Sequence, residues 1–356
     1  MPLRSSQHFR QLFTICLISL VACAIAPPVS AQISSTPNTL YRIADGRAGV
    51  AQRLLPRLAG LVRKDNSLLF VDQTNHIIRQ VAPDGRTTTV AGLAGTCGAS
   101  DGSNKNARFC VPDGIAIDSR GDLYLADNYY GIVRRISDNA VATVAGQAAV
   151  CNNGNDVAGE AGLLCQLARV AVDRNDNLYV SSPMGVIYRI NPSSGKVRIF
   201  AGSYETNCKN PKPPAEASFC QPAGIAIDPG TGNLYVADKG NHTIRKVTPQ
   251  GVVSTYAGKT GVIGASDGGE AARFQRPSDV AVDAAGNVYV ADTSNNVIRK
   301  ITPDQLVSTV AGRFGENSTT PGALPGTIAQ PVGIAVIGEK QLAITTSDAE
   351  VLGINF

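Results

Sequence analysis

Tryptophan, histidine and long apolar runs are scarce in this chain of 356 residues. It has no Trp, and its 10 Tyr fall mostly at one repeated position, so it offers no array of aromatic rings on which bases could stack. Its 32 Lys and Arg nearly balance 28 Asp and Glu, without the clustered basic stripe that nucleic-acid binding needs. After residue 31, no apolar run could span a membrane. We therefore expect neither nucleic-acid binding nor a transmembrane segment.

The chain is instead rich in internal repeats. Segments such as GIAIDPGTGNLYVADKGNHTIRKV (residues 224–247) recur throughout its length. When the copies are aligned on the residue after the LYVA-type run, six residues follow one another at steps of 55, 55, 56, 54 and 54: Asp72, Asp127, Ser182, Asp238, Asp292 and Thr346. Self-similarity at one period indicates stacked copies of a single supersecondary unit.

Each copy contains four short runs that are typical of β-strands. In the second copy these runs cover residues 115–117, 123–126, 132–136 and 141–144. They are rich in Val, Ile, Tyr and Thr, and Gly, Asn and Asp separate them, whereas no stretch has helical periodicity. Four antiparallel strands per repeat, repeated radially, predict an all-β fold of the β-propeller type.

The two ends of the chain predict how the ring closes. The sixth copy ends after three strands, and the N-terminal region offers one unpaired strand at residues 39–44. Pairing this strand with the last blade would cover two exposed edges, which otherwise template aggregation. We therefore predict six blades, with the N-terminal strand as the fourth strand of the last one.

These residues also carry a family resemblance. The segment ADKGNHTIRKVTPQGVVSTYAG (residues 237–258), and related segments that begin at Val71 and Ala291, resemble NHL repeats, which are named for an Asn-His-Leu stretch. The resemblance covers nearly everything from Leu58 onward and implies a propeller. It does not imply one function, because members include secreted scaffolds, adhesion and sensor modules, RNA-binding propellers and a few lyases.

The N-terminal residues 1–31 are expected to be a secretory signal peptide. Arg4 and Arg10 precede an apolar stretch, and small residues at Val29 and Ala31 fit cleavage before Gln32. Secretion or a periplasmic location follows. An alternative is a lipoprotein anchored through Cys23, because residues 20–23 (LVAC) resemble a lipobox.

The remaining residues, 32–356, are expected to form a single propeller domain. Its blades are predicted at residues 56–92, 112–146, 167–202, 222–258, 277–312, and 331–356 together with 39–46.

Six cysteines lie beyond residue 31, and they come in pairs that each bracket one connection between blades. In an exported protein this placement predicts three disulfides, each within one loop. The expected pairs are Cys97–Cys110, Cys151–Cys165 and Cys208–Cys220. No CxxC spacing or neighbouring His indicates a zinc site, and we expect neither a metal nor a cofactor.

Several residues recur once per blade and are interpreted as structural. The repeated aspartates are expected to pair with arginines rather than to bind calcium, and the predicted partners are Arg79, Arg135, Arg245 and Arg299. Large apolar residues before the first strands are expected to plug the blade junctions: Phe109, Leu164, Phe219 and Phe274. His76 and His242 share one repeat position in blades 1 and 4, so they are expected to be neutral turn caps at least about 20 Å apart.

A site requires residues that break the repeat. At the start of the first strands, where small residues prevail, Asp113, Arg169 and Asp279 stand out. They are expected at the mouth of the central channel. Two carboxylates and one guanidinium could bind a small polar ligand or a cation, or they could be solvated rim residues.

Two functions remain open from the sequence. The first is an exported non-catalytic scaffold that binds a protein or an envelope polymer through the stapled loops at residues 93–111, 147–166 and 203–221. The second is a divalent-cation-dependent lyase or hydrolase at the channel mouth, which would need a cation held by Asp113, Asp279 and backbone carbonyls. The chain lacks the channel histidines of the catalytic members of the resembled family, which favours the scaffold.

Overall fold

The computed structural model describes residues 36–45, 57–148, 164–204 and 218–356. The chain divides into Met1–Ser30 and Ala31–Phe356, and all described residues belong to the second unit. Nearly all regular structure in them is β, arranged as six antiparallel sheets. No helix in this part of the chain has the length and apolar character needed to cross a bilayer.

Each sheet is one blade; in blades 1 to 5 the four main strands follow the chain order outward from the central axis, and in blade 6 the N-terminal strand is the fourth. Strands are numbered from β1 (Thr39–Asp45). Blades 1 to 3 contain β2 (Leu58–Lys64), β3 (Ser67–Asp72), β4 (Ile77–Val81) and β5 (Thr87–Ala91); β7 (Pro112–Ile117), β8 (Leu123–Asp127), β9 (Ile132–Ser137) and β10 (Ala140–Ala145); and β11 (Val170–Val172), β12 (Leu178–Ser182), β13 (Val186–Ile190) and β14 (Val197–Gly202).

Blades 4 to 6 contain β15 (Pro222–Ile227), β16 (Leu234–Asp238), β17 (Thr243–Val247) and β18 (Val253–Ala257); β19 (Asp279–Val282), β20 (Val288–Asp292), β21 (Val297–Ile301) and β22 (Val307–Gly312); and β24 (Pro331–Gly338), β25 (Gln341–Thr346), β26 (Glu350–Asn355) and β1. Short strands β6 (Gly102–Ser103) and β23 (Gly322–Ala323) extend the outer edges of blades 2 and 6. A 3₁₀ turn covers Thr293–Asn295.

Burial along each blade explains the sequence of its strands. The second strand is buried on both faces, as in Leu123–Asp127, so its sequence is a nearly continuous apolar run. The fourth strand lies at the outer edge, and in Thr87–Ala91 exposed and partly exposed residues precede a single buried one.

Ring closure follows the predicted scheme. Strand β1 pairs antiparallel with β26, from Thr39 opposite Asn355 to Asp45 opposite Glu350. The first strands of neighbouring blades contact one another around the whole ring, from β2 through β7, β11, β15, β19 and β24 back to β2. The prediction of six blades closed by an N-terminal strand is confirmed.

The hydrophobic core is divided in the same way as the ring. The buried apolar residues form six clusters, and each cluster joins two adjacent blades. The cluster between blades 5 and 6, for example, combines Ile298 and Tyr289 with Ile344 and Leu40 from β1. Each blade is therefore stabilised mainly by its two neighbours, as is general for repeat folds.

Candidate functional site

One face of the propeller carries both the turns between second and third strands and the connections between blades. Backbone hydrogen bonds join the two sets: Gln73 donates to Arg57 at 2.8 Å and Gly240 donates to Cys220 at 2.8 Å. We call this the loop face. The central channel opens on it, because the first strands line the axis and begin there.

The three residues that break the repeat come together at this opening. The Arg169 side chain bonds Asp113 through Nη1, and its Nε lies 3.2 Å from Asp279 Oδ2. Asp113 lies in β7, Arg169 directly precedes β11, and Asp279 begins β19, so blades 2, 3 and 5 each supply one member. We refer to these residues as the channel triad.

Two members of the channel triad are buried and Asp113 is partly exposed, so Arg169 and Asp279 are not solvated rim residues. Arg169 and Asp279 are 6% and 5% exposed. Burial raises the pKa of Asp279, and the positive charge of Arg169 opposes that shift. Asp279 also accepts the N–H of Val280 at 3.0 Å and of Ile334 at 3.3 Å. Its carboxylate is thereby well supplied with donors.

Two glycines allow this close arrangement. A Cβ on Gly114 would lie 2.5 Å from Arg169 Cα, and one on Gly224 would lie 2.3 Å from Asp279 Cα. Both distances are far below van der Waals contact, so only glycine lets the inner strands approach closely enough for the triad to form. The repeated glycines Gly114 and Gly224 and the charged residues of the channel triad are therefore parts of one arrangement.

A fourth charged residue at the mouth, Lys239, was not identified from the sequence. It lies in the turn after β16, and the equivalent positions in the other blades hold uncharged residues: Gln73, Asn128, Pro183, Thr293 and Ser347. Comparing the turns in the same way as the first strands would have revealed it.

The two histidines serve the backbone. The Nδ1 of His76 accepts the N–H of Val111 at 3.1 Å, and the Nδ1 of His242 accepts that of Arg276 at 3.1 Å. An imidazole that accepts through Nδ1 is neutral there, and burial lowers the pKa of both rings. Each His therefore fixes the start of the next blade, in agreement with the prediction of neutral turn caps.

The repeated aspartates form buried ion pairs with arginines in four blades, with one correction. The shortest distances are 3.6, 3.7, 3.0 and 3.0 Å for Asp72–Arg79, Asp127–Arg134, Asp238–Arg245 and Asp292–Arg299. The predicted partner Arg135 in blade 2 is wrong. Side chains alternate along β9, so Arg134 faces Asp127 and Arg135 points to the other face, where it bonds Asp122.

The predicted plugs stack beneath these arginines. The Arg134, Arg245 and Arg299 guanidinium carbons lie 5.2 to 5.6 Å from the ring centroids of Phe109, Phe219 and Phe274. These rings and Leu164 are fully or almost fully buried. A cation over an aromatic face is stabilised where water is absent. Plug, arginine and aspartate therefore form one structural unit in each of these blades.

Blades 3 and 6 lack both members of the ion pair. Tyr188 pairs with Val180 and Leu352 pairs with Ile344, in the register that Arg245 has with Val236, so both occupy the arginine position. The aspartate position of these two blades holds Ser182 and Thr346. Tyr188 bonds the Tyr204 hydroxyl at 2.8 Å. Because both partners change together, neither blade is left with an unpaired buried charge.

The Cys97–Cys110 disulfide is present and closes the connection between blades 1 and 2. Cys165 and Cys220 are also disulfide-bonded. Their predicted partners, Cys151 and Cys208, lie outside the described residues, as do residues 1–31 and Cys23. Within the described ranges no group of three or more His, Cys, Asp or Glu side chains could hold a metal ion.

Six four-stranded antiparallel blades around a channel define a β-propeller. The family model of the NHL repeat matches residues 219–247 and 274–301. The chain is 28% identical over 305 residues to Protein SUPPRESSOR OF QUENCHING 1, chloroplastic, of Arabidopsis thaliana, covering 80% of this chain and 28% of that protein. It is 28% identical over 334 residues to NHL repeat-containing protein 2 of Homo sapiens, covering 83% and 45%. The chain is a β-propeller that contains NHL repeats, and it spans less than half the length of these two relatives.

Solved structures share the fold at low sequence identity. A structural genomics protein from Bacteroides thetaiotaomicron superposes with a TM-score of 0.68 at 19% identity, covering 88% of this chain and 74% of that one. An auxiliary nutrient binding protein from Bacteroides ovatus gives 0.62 at 15%, covering 89% and 72%. A catalytically inactive virginiamycin B lyase from Staphylococcus aureus gives 0.54 at 14%, covering 86% and 83%. Binding proteins and an enzyme therefore share this architecture.

Proposed function

We propose that this chain is an exported, non-catalytic propeller that binds a partner protein on its loop face. The observation that carries the proposal is the distribution of exposed large apolar side chains. Of seven such residues in the described part of the chain, five lie on the loop face: Leu93, Tyr129, Val262, Ile263 and Phe314. The other two, Val252 and Leu306, lie in turns between third and fourth strands, on the opposite face.

These side chains suit a protein partner. They belong to the connections after blades 1, 4 and 5 and to a turn of blade 2, so they are spread over the face. Aromatic anchors carry much of the energy of protein interfaces, and Tyr129 and Phe314 are of this kind. The Cys97–Cys110 bond fixes the connection that bears Leu93, which reduces the entropy lost on binding.

The channel triad favours binding over cation-dependent catalysis. A divalent cation held by Asp113 and Asp279 would compete with the Arg169 guanidinium, which already bonds both carboxylates. Coulomb repulsion from that guanidinium would weaken cation binding further. The two histidines are engaged by backbone N–H groups.

Export is supported by the pattern of residues 1–31 and by the disulfide, since disulfides persist in oxidising compartments. Mass spectrometry of the mature N-terminus tests it. A chain that begins at Gln32 supports secretion or a periplasmic location, a lipidated Cys23 supports the anchored alternative, and a chain that retains residue 1 contradicts export.

Binding is tested with paired surface variants. Tyr129→Ser with Ile263→Asp alters two side chains that are 69% and 57% exposed, and Val252→Asp with Leu306→Asp alters two on the opposite face at 51% and 56%. Each protein is cross-linked in an envelope extract, and the captured species are identified. The proposal expects a protein that is lost only with the loop-face variant. A protease-resistant captured species would assign an envelope polymer instead, and equal capture by both variants would contradict the proposed face.

A further inference from the structure

A cleft of about 640 Å³ opens between blades 5 and 6 on the face opposite the loop face. Its two walls are the turn of residues 283–287, between β19 and β20, and the hairpin of residues 338–341, between β24 and β25. The loop face carries the turns between second and third strands, so these turns between first and second strands lie on the other side. A volume of this size suits a small organic molecule.

The two walls differ in length and are not bridged. The hairpin of blade 6 is tight, because Gly338 pairs directly with Gln341, whereas blade 5 has the longer turn 283–287. Between blades 2 and 3 the equivalent turns are joined, since Ser119 Oγ donates to Asp176 Oδ2 at 2.8 Å. No hydrogen bond joins the two walls of the cleft, whose residues the structure describes throughout.

The cleft has an apolar floor. Val336 and Leu342 from blade 6 and Tyr289 from blade 5 line it, and all three belong to the hydrophobic cluster between these blades. The Tyr289 ring stacks on Phe356, with ring centroids 5.7 Å apart and planes inclined by 6°. Its hydroxyl donates to Asp283 Oδ2 at 3.1 Å, which fixes the ring. A ligand with an apolar body would cover this surface and remove it from water.

One partly buried cation lines the cleft beside this floor. The Nζ of Lys300 lies 5.9 Å from the centroid of the Tyr289 ring. In blade 2 the equivalent Arg135 bonds Asp122, whereas blade 5 has Asn287 in place of that aspartate. Among the described residues, no carboxylate forms an ion pair with Lys300. An ammonium in this setting gains from the counter-charge that a ligand supplies.

The carboxylates that line the cleft do not cancel this charge. Asp283 is engaged by its own turn, because it accepts the N–H of Ala285 at 3.0 Å and the N–H and side-chain amide of Asn287, both at 2.8 Å. These donors stabilise its negative charge locally. Glu339 and Lys340 form the exposed tip of the hairpin and carry opposite charges. Lys300 therefore supplies the charge that a ligand would meet at the floor.

We propose that the cleft between blades 5 and 6 binds a small amphipathic carboxylate. Its apolar body would lie on Tyr289, Val336 and Leu342, and its carboxylate would accept charge-assisted hydrogen bonds from the Lys300 ammonium. This site goes beyond the proposed function, because it lies on the face opposite the partner-binding loops and requires no partner protein.

Titration of the purified protein with cinnamate, followed by calorimetry, tests the site. Cinnamide has the same apolar body without the charge, and acetate has the charge without the apolar body. We expect saturable binding of cinnamate. Cinnamide should bind about tenfold more weakly, because it loses the charge-assisted bond. Acetate should show no saturable binding.

Variants of the cleft assign the binding to these residues. Lys300→Met should weaken cinnamate binding about tenfold and leave cinnamide binding unchanged, because only the charged contact is removed. Ala284→Trp, at an exposed position in the wall, should block both ligands. Lys246→Met alters the equivalent, also partly buried, lysine of blade 4 outside the cleft, and it should leave both affinities unchanged.

Equal cinnamate affinity in wild type, Lys300→Met and Ala284→Trp would overturn the site, as would non-saturable binding. Binding that is lost only in the loop-face variant, Tyr129→Ser with Ile263→Asp, would place the probe on the loop face and also overturn it. Tighter binding of cinnamide than of cinnamate would overturn the proposed ligand class. If Lys300→Met alters the melting curve, Ala284→Trp decides, because it replaces an exposed side chain.

Discussion

The buried ion pair of blade 5 offers the most demanding test of how the repeats are held together. Arg299 and Asp292 are both fully buried, with Arg299 Nη1 3.0 Å from Asp292 Oδ2. Blade 6 has Thr346 and Leu352 at the equivalent positions. The natural perturbation is therefore Arg299→Leu, Asp292→Thr, and the double variant that copies blade 6.

The expected loss in the free energy of unfolding depends on which buried charge each change leaves without its partner. Arg299→Leu leaves a buried carboxylate and removes donors to the carbonyls of Ser266 and Arg273. Breaking a buried pair in this way costs about 3–5 kcal/mol, a large part of a total stability of about 5–15 kcal/mol. Asp292→Thr leaves the guanidinium paired with Asp267 at 2.6 Å, so it should cost less than Arg299→Leu. The double variant removes both buried charges together, so it should be no less stable than Arg299→Leu.

Urea denaturation provides the assay, followed by circular dichroism or by tyrosine fluorescence, because the chain has no Trp. A favourable coupling energy of about 1–3 kcal/mol in the double-mutant cycle is expected, within the range for neighbouring residues. Lys300→Leu, a neighbour of Arg299 on the same strand that is only partly buried, serves as the control and should change the free energy of unfolding by less than about 1 kcal/mol. Additive losses in the double variant would refute the interpretation of the pair as one unit.

Three further predictions concern other parts of the fold. Burial raises the pKa of Asp127 to about 7 from an ordinary 3.8, so the folded state holds this proton more tightly than the unfolded state. Wild type should therefore lose stability relative to Asp127→Asn as the pH rises from 4 to 7, which urea denaturation at several pH values measures. A relative gain in stability over that range would contradict this. Replacing both Cys97 and Cys110 by Ala opens a loop with a sequence separation of 13 and should cost about 3 kcal/mol in non-reducing urea denaturation; unchanged stability would show that the bond constrains little. Deleting Thr39–Asp45 exposes the edge of β26, so light scattering should show aggregates, whereas a stable monomer would argue against closure by this strand.

The charged residues of this propeller fall into two groups: those that recur at one position in several blades and those that occur once. Asp292 and Arg299 recur in other blades and act within one blade, so they stabilise the unit that carries them. Asp113, Arg169 and Asp279 each occur once and meet only across the channel. Carboxylate–guanidinium pairs thus stabilise single blades in the first group and join different blades at the channel in the second.

Local patterns explain which parts of the candidate site the sequence could predict. Asp113, Arg169 and Asp279 were recognisable because each departs from a repeated small residue, and repeat alignment places them all at the channel. That Arg169 bonds both carboxylates was not recognisable, since the three lie 56 and 110 residues apart along the chain. The mistaken assignment of Arg135 has a local cause, because a shift of one residue along a strand moves a side chain to the other face.

The sequence alone determined the architecture: the number of blades, their strand order, and the closing role of the N-terminal strand. It could do so because each blade is specified by contacts within one period of about 55 residues and with its immediate neighbours. Only the tertiary structure decided that Arg169 bonds both Asp113 and Asp279 across the channel and that Arg169 and Asp279 are buried there. Those relations depend on Coulomb attraction between residues of different blades, which the pattern within one period does not contain.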